Sequence, residues 1–166
     1  MGDVTIRKAR REDCKVISDL IQELANYENM PDGPKIDYKT LERDGFDIEH
    51  PLFMSFVAVV NDKVVGYAIF YYTYSTWRGK AMYLEDIYVT PEYWKHGIGS
   101  KLLKAIAKDA MENECCRLDF SVLDWNTAQE FYKKKGAIDL TVQEGWLHYR
   151  FPKDALMVLA KSSDNP

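Results

Sequence analysis

The strongest signal in the sequence lies in residues 83–103, which read YLEDIYVTPEYWKHGIGSKLL. The first part, residues 83–89, is rich in aromatic and β-branched side chains, which favours a β-strand. Thr90-Pro91 ends this strand, and after Gly97 the apolar residues recur at helical spacing. A strand that passes through a glycine-containing loop into a helix predicts an α/β fold.

The loop at residues 97–100 is a candidate anion site. Its two glycines let the backbone approach a ligand closely, and the N–H groups and dipole at a helix start attract negative charge. Lys95 and His96 add donors. A dinucleotide fingerprint would require a third glycine where Leu102 stands, and a P-loop would require Gly-Lys-Ser/Thr after a four-residue spacer. Phosphate binding is therefore predicted, with an ordinary strand-to-helix turn as the alternative.

Strand and helix patterns alternate on both sides of this segment. Strand patterns occur at residues 4–9, 53–60, 64–74, 81–89, 117–122, 137–141 and 146–151. Helical spacing occurs at residues 11–24, 38–44, 97–113 and 127–134. We therefore expect one domain over residues 1–166, with a central mixed, mostly antiparallel twisted sheet of about seven strands flanked by helices. The polar residues 161–166 are predicted to form a frayed tail.

Composition excludes several classes of protein. The chain has 166 residues, 46% hydrophobic and 29% charged, with a formal net charge of -4. Disorder and a membrane protein do not fit this balance, and no extended positive field is available for nucleic acid. Residues 1–9 are charged and alternating, unlike a secretory signal. Small cations fit the acidic balance better as partners.

Cysteines and histidines give weaker indications. The three cysteines, Cys14, Cys115 and Cys116, are odd in number and two are adjacent, which favours a reducing compartment and hence the cytoplasm. The three histidines lie far apart, without ligand spacing, so no metal is expected.

A second segment, residues 124–137, reads DWNTAQEFYKKKGA. With the glycine loop it resembles the GCN5-related N-acetyltransferases, in which such a loop binds the pyrophosphate of acetyl-CoA and an Asn-initiated helix with an aromatic-Tyr pair borders the thioester. The resemblance covers about residues 4–159 and implies the fold of that superfamily, acetyl-CoA as co-substrate and a homodimer.

Other stretches look like the branch that holds the diamine (spermidine/spermine) and thialysine acetyltransferases. They are Ala25-Asn26-Tyr27-Glu28, Tyr74-Ser75-Thr76-Trp77, Tyr83-Leu84-Glu85-Asp86 and Glu144-Gly145-Trp146. Ser75 before Thr76-Trp77 is similar to the thialysine enzymes, whereas the polyamine enzymes carry an aspartate there. This implies a lysine-like amine as substrate, with a polyamine as the alternative.

The resemblance also implies residues for three tasks. The implied acetyl-CoA contacts are Ile87, Tyr88, Val89, Lys95, His96, Gly97, Ile98, Gly99, Ser100, Asn126 and Tyr132. The implied catalytic residues are Glu85 and Tyr132. The implied substrate contacts are Tyr27, Glu28, Ser75, Trp77, Glu85, Asp86, Asp119, Phe120, Ser121 and Glu144.

Two positions depart from the superfamily pattern. Trp94 stands where Gln or Arg is usual, so Lys95 or His96 has to supply that phosphate donor. The interval from Asn126 to Tyr132 is one residue shorter than usual, which weakens the case for Asn126 but not for Tyr132. A non-catalytic acyl-CoA-binding module is therefore the alternative from another class, and the presence of both Glu85 and Tyr132 argues against it.

A mechanism follows from the residue types. An amine with a pKa of about 10.4 is neutral in about one molecule in 2,500 at pH 7, so a group must take its proton. We expect Glu85 to pair with the ammonium and accept this proton through water, provided that Leu84 and Ile87 enclose it. Strand alternation would place Asp86 on the opposite face, where it only orients. Tyr132 would protonate the departing thiolate, and N–H groups around residues 87–89 would meet the oxyanion.

Overall fold

The computed structural model describes residues 2–162, which contain a five-stranded sheet. Its strands are β1 Val4–Lys8, β2 Met54–Val60, β3 Lys63–Ser75, β4 Gly79–Val89 and β5 Leu118–Phe120, in that spatial order. β1 to β4 pair antiparallel, and β5 pairs parallel to β4. The predicted class, a mixed and mostly antiparallel sheet flanked by helices, is confirmed.

Residues 2–162 also contain six α-helices. They are α1 Cys14–Tyr27, α2 Tyr38–Glu42, α3 Ile98–Glu112, α4 Ala128–Lys133, α5 Leu140–Glu144 and α6 Lys153–Lys161. No helix of the described residues is long and apolar enough to cross a membrane.

Each face of the sheet is covered by one amphipathic helix. On one face the α3 residues Ile98, Leu102 and Ile106 pack with strand residues that include Phe70 and Leu84. On the other face α1 contributes Ile17 and Leu20, which pack with Val57, Tyr67 and Ile69. Successive side chains of a strand point to opposite faces, so β3 supplies both clusters. The helices that flank the sheet therefore hold β3 and β4 in fixed positions.

The chain forms two compact units, Met1–Ser121 and Val122–Pro166. We call them the sheet unit, which holds the five strands and α1 to α3, and the C-terminal unit, which holds α4 to α6.

The two last predicted strands are wrong. Residues 140–144 form α5 instead, because the Asp139 side chain accepts hydrogen bonds from the N–H groups of Thr141 and Val142 and starts a helix. Gly145, with φ of +77°, ends it. Residues 146–152 form neither helix nor strand. A strand requires a neighbour for its backbone hydrogen bonds, and alternation in the sequence does not supply one. Of the predicted tail, Lys161 ends α6, and residues 163–166 lie outside the described residues.

Candidate active site

An extra residue in β4 creates the centre of the site. Ile69 of β3 pairs with Asp86, but the next β3 residue, Phe70, pairs with Leu84, so Glu85 has no partner of its own. This is a β-bulge, and it resets the alternation of side chains along the strand. Leu84 and Ile87 consequently pack on the α3 face. Glu85 and Asp86 both reach the other face.

The two carboxylates line one cavity of about 610 Å³ in the sheet unit. The prediction that Asp86 points away from Glu85 is therefore wrong, because simple alternation does not hold across a bulge. Leu84 and Ile87, which were expected to enclose Glu85, lie in the core on the α3 face.

The lining of this cavity is acidic. Its other members come from α1, from α2 and the segments that flank it, and from β3: Ser18, Asp19, Ile21, Gln22, Pro34, Ile36, Leu41, Asp44, Leu52, Phe53, Ile69 and Tyr71. Four carboxylates and no lysine or arginine stand in this lining. Such a surface attracts cations.

A buried tyrosine, Tyr67, donates a hydrogen bond to Asp86. The Tyr67 hydroxyl donates a hydrogen bond of 3.0 Å to Asp86 Oδ2, and Tyr67 is fully buried. Burial raises the pKa of Asp86 to about 6, and the neighbouring charges of Glu85 and Glu28 act in the same direction. The Tyr67 hydrogen bond opposes them. Asp86 thus changes its charge close to neutral pH.

Glu85 is held in a similar way by a second tyrosine of β3. The Tyr71 hydroxyl donates a hydrogen bond of 2.9 Å to Glu85 Oε2. Burial raises the pKa of Tyr71, and its hydrogen bond to Glu85 raises it further, so that the phenol keeps its proton at neutral pH. Glu85 itself is exposed, so its carboxylate can meet a charged ligand directly.

Beyond the bulge, β4 separates from its parallel neighbour. The ladder with β5 ends at the pair Leu84 and Phe120. From there to Val89 the ladder of β4 is with β3 alone. Within the described residues, the strand segment that contains Ile87 and Tyr88 therefore has no strand partner on that side, where a ligand could pair with its backbone.

The glycine loop that follows β4 has an open approach to its backbone. Gly97 is the N-cap of α3, with φ of +75° and no side-chain cap. A Cβ added at Gly97 or at Gly99 would meet nothing within 4 Å. Lys95 also has a positive φ of 65°, and the buried Ile98 anchors the helix start in the core. The first-turn N–H groups of residues 98–100 can therefore meet an anion such as a diphosphate.

Trp94, which departs from the superfamily pattern, makes structural contacts. Its indole N–H donates a hydrogen bond of 2.5 Å to the Val89 carbonyl, and its ring packs edge-on against Tyr27 at 5.6 Å between centroids. The tryptophan thus links the end of β4 to the end of α1. It supplies no side-chain positive charge, and Lys95 and His96 are the basic side chains of this loop.

Several predicted substrate contacts of the sheet unit lie outside the cavity lining. The Ser75 hydroxyl accepts hydrogen bonds from the N–H groups of Trp77 and Arg78 in the β3–β4 turn. Trp77 is 83% exposed. Asp119, next to Phe120 on β5, accepts a hydrogen bond from Arg117 at 2.7 Å.

Two further predicted contacts have defined surroundings in the sheet unit. Ser121 shares a hydrogen bond of 2.8 Å with the Tyr83 hydroxyl. Glu28 caps the end of α1, and burial raises the pKa of its carboxyl.

The C-terminal unit holds the remaining predicted residues. Asn126 Oδ1 accepts a hydrogen bond of 2.9 Å from the Ala128 N–H at the start of α4. The ring of Tyr132 packs edge-on against Phe131, and burial raises the pKa of Tyr132 to about 12. Glu144 accepts a hydrogen bond of 2.6 Å from the indole of Trp146.

The polar residues of α1 and the β3 tyrosines Tyr67 and Tyr71 belong to the site, although the sequence pattern did not indicate them. Ser18, Asp19 and Gln22 lie between the apolar positions of α1, where polar side chains usually face solvent. Their spacing, one turn apart, was the signal available. Tyr67 and Tyr71 stand four residues apart in a strand rich in aromatics, and nothing local separates them from core residues.

The usual donor sets of metal sites are groups of His, Cys, Asp or Glu side chains. Among residues 2–162, no three or more His, Cys, Asp or Glu side chains are grouped to hold a metal ion.

The chain is similar to known proteins over most of its length. The profile of the acetyltransferase (GNAT) family matches residues 6–137. The thialysine N-epsilon-acetyltransferase of Bos taurus is 46% identical over 96% of this chain and 99% of its own length. The spermidine/spermine N(1)-acetyltransferase-like protein 1 of Homo sapiens is 42% identical over 93% of this chain and 23% of its own length.

A solved structure is similar over the same extent. An integron cassette protein from the mobile metagenome of V. cholerae gives a TM-score of 0.78 at 29% identity, covering 98% of this chain and 100% of that chain.

Proposed function

Because the chain belongs to the acetyltransferase (GNAT) family, we propose that it transfers the acetyl group of acetyl-CoA to the primary amine of a small cationic molecule. The observation that carries this proposal is the acidic cavity at the bulge of β4, the same strand that leads to an open glycine loop. The substrate that we propose first is thialysine or a related lysine-like amino acid, in line with the name of the Bos taurus relative.

The cavity supplies the amine side of the reaction. Glu85 pairs with the incoming ammonium, and the carboxylates of the cavity accept its proton, so that a neutral amine attacks the thioester. An isolated carboxylate with an ordinary pKa would accept that proton about six units uphill, or about 8 kcal/mol. A carboxyl whose pKa is about 6, as at Asp86, reduces this cost to about 6 kcal/mol for an amine of ordinary pKa.

The glycine loop supplies the anion side. The N–H groups at the start of α3 would hold the diphosphate of acetyl-CoA, with Lys95 and His96 adding donors. The N–H groups of residues 87–89 that point away from β3 would hydrogen-bond the pantetheine arm and meet the oxyanion, whereas the Val89 carbonyl is already bonded to the Trp94 indole. Direct transfer in a ternary complex requires no covalent bond to the enzyme.

Tyr132 is proposed to act on the sulfur. With its pKa raised to about 12, it keeps its proton across the working range of pH. Complete transfer of that proton to a thiolate of pKa about 8.5 would cost about 5 kcal/mol. Tyr132 therefore acts as a hydrogen-bond donor that stabilises the developing thiolate, with transfer completed as charge builds on sulfur.

A polyamine such as spermidine is the second candidate substrate. The four carboxylates of the cavity lining, without a lysine or arginine among them, favour a ligand with several positive charges. An amino-acid substrate would have to hold its own carboxylate away from this lining.

We also propose a cytoplasmic homodimer. The exposed aromatic side chains Tyr74 and Trp77 of the β3–β4 hairpin support a contact with a second copy. The three free cysteines, two of them buried, support a reducing compartment.

The test is an assay of free thiol release from acetyl-CoA with thialysine, lysine, spermidine and putrescine in parallel. We expect release with at least one amine and the highest kcat/KM with thialysine. A higher value with spermidine would establish the second candidate instead, and release with no amine would overturn the proposed function. Ser75→Asp, the residue of the polyamine enzymes at this position, is expected to shift the preference toward spermidine.

A further inference from the structure

Two tyrosines on β3 hold two consecutive carboxylates on β4, but they do so from different places. Tyr71, bonded to Glu85, forms part of the cavity lining. Tyr67, bonded to Asp86, is completely buried and does not line the cavity. Removing the Tyr67 hydroxyl would therefore leave the surface that a substrate meets unchanged.

The two oxygens of Asp86 differ in their surroundings. Oδ2 accepts the hydrogen bond from Tyr67. Oδ1 has no hydrogen-bond partner in the described part of the chain. Every side-chain oxygen or nitrogen there that lacks a partner is accessible to solvent, and this includes Oδ1. Since Asp86 lines the cavity, Oδ1 is the oxygen that a substrate can reach.

We propose that Tyr67 is a positioning residue for acetyl transfer: its hydroxyl fixes Asp86 Oδ2, so that Oδ1 faces the cavity, stays ionised and receives the proton of the substrate ammonium. In this step one N–H bond of the ammonium breaks and an O–H bond forms on Oδ1. The electron pair that remains on nitrogen forms a C–N bond to the thioester carbonyl, and the C–S bond breaks as CoA leaves as a thiolate. The nitrogen then loses a second proton as the amide forms, and this proton balances the one that the thiolate takes up to become the free thiol. Asp86 then returns its proton to solvent. The inference rests on the proposed function and assigns to Asp86 the proton acceptance that the sequence suggested for Glu85.

The charges around Asp86 explain why this hydrogen bond matters. Glu85 on the same strand and Glu28 at the end of α1 disfavour its ionised form, as does burial. Asp19 on α1 and Asp44 after α2 line the same cavity, and Asp44 forms an ion pair of 2.7 Å with Arg43. Of the neighbours that act on Asp86, the Tyr67 hydroxyl favours the carboxylate. Without it, Asp86 would be protonated, and unable to accept a proton, over more of the neutral range.

The first experiment is the pH profile of kcat/KM for wild type and Tyr67→Phe. We expect the acidic limb to move up by about one pH unit in the variant, since a hydrogen bond to a charged group contributes about that much. The loss is therefore about tenfold below the limb and disappears at high pH. An equal loss at every pH would indicate a structural defect and overturn the inference.

Two control variants separate the roles. Tyr71→Phe removes the corresponding hydrogen bond to Glu85 and is expected to change KM for the amine while leaving the limb where it is. In an Asp86→Asn background, Tyr67→Phe is expected to cause no shift of the limb. A shift in that background, or the same shift from Tyr71→Phe, would contradict the assignment.

A second measurement is independent of turnover. The carboxyl resonance of Asp86, assigned by its absence in Asp86→Asn, is followed by carbon-13 NMR against pH in the protein without substrates. We expect a midpoint near 6 in wild type and about one unit higher in Tyr67→Phe. A wild-type midpoint near 4, or no change in the variant, would overturn the inference. An enzyme that shows these shifts but acetylates no amine would contradict the proposed function instead.

Discussion

The middle and the end of β4 offer opposite electrostatic environments only a few residues apart. In the middle, the bulge at Glu85 directs two carboxylates into a cavity that contains no positive side chain. At the end, the strand leads into a loop where Gly97 leaves the α3 N-terminus without a side-chain cap. In the proposed function, one region uses side-chain charge to attract a cation, and the other uses backbone N–H groups to attract an anion. One strand can therefore align an amine with a phosphate-bearing co-substrate.

The first prediction concerns the acidic cavity in the middle of β4. Glu85→Gln removes the exposed charge that pairs with the ammonium and keeps the shape, so we expect kcat/KM for the amine to fall about 10- to 100-fold, because a hydrogen bond to a charged group contributes about 1.5–3 kcal/mol. The loss should fall on the amine, with KM for acetyl-CoA nearly unchanged. Steady-state thiol release, with each substrate varied in turn, measures this. Unchanged kcat/KM at every pH would remove Glu85 from the mechanism.

The second prediction concerns the free energy of unfolding, which the buried carboxylate of Asp86 lowers when it is ionised. The pKa of Asp86 is raised from 3.8 to about 6, so the folded state holds the proton more tightly than the unfolded state. The contribution of Asp86 to stability is therefore greatest below pH 4 and is lost as the pH rises from about 4 through about 6. Two pKa units correspond to about 3 kcal/mol. Asp86→Asn abolishes this dependence.

Asp86→Asn should therefore gain up to about 3 kcal/mol over wild type between pH 4 and pH 8, in line with the linkage of pKa and stability. Urea unfolding at both pH values measures the difference. Equal pH dependence in the two proteins would show that Asp86 is not strained by its surroundings.

The third prediction concerns the glycine loop at the end of β4. Gly97→Ala places a Cβ beside the N–H groups of the anion site and strains a left-handed residue, so we expect KM for acetyl-CoA to rise about tenfold. Gly79→Ala is the matched control, because Gly79 also has a positive φ, of 88°, with nothing within 4 Å of an added Cβ. Both variants should lose about 1 kcal/mol of stability, and Gly79→Ala should keep its KM. Equal KM values for the two variants would count against the loop as the diphosphate site.

The sequence by itself determined the order of the elements in the sheet unit. The alternation of β1 to β4, the helical spacing of α1 and α3 and the glycines after Thr90-Pro91 are local patterns, and local patterns suffice to specify the type of each element. The sequence also supplied the carboxylates and the glycine loop, because these residue types carry their chemistry wherever they stand.

Only the tertiary structure decided where those groups point. The bulge that turns Glu85 and Asp86 to the same side depends on how β3 pairs with β4. Tyr67, whose ladder partner is Tyr88, acts on the site because its hydroxyl reaches Asp86, the partner of Ile69. In the same way, residues 146–151 have the alternation of a strand but no neighbour to pair with in the described residues. Partners across a sheet are distant in sequence, so neither the register nor the pKa shifts that follow from it can be read from local pattern.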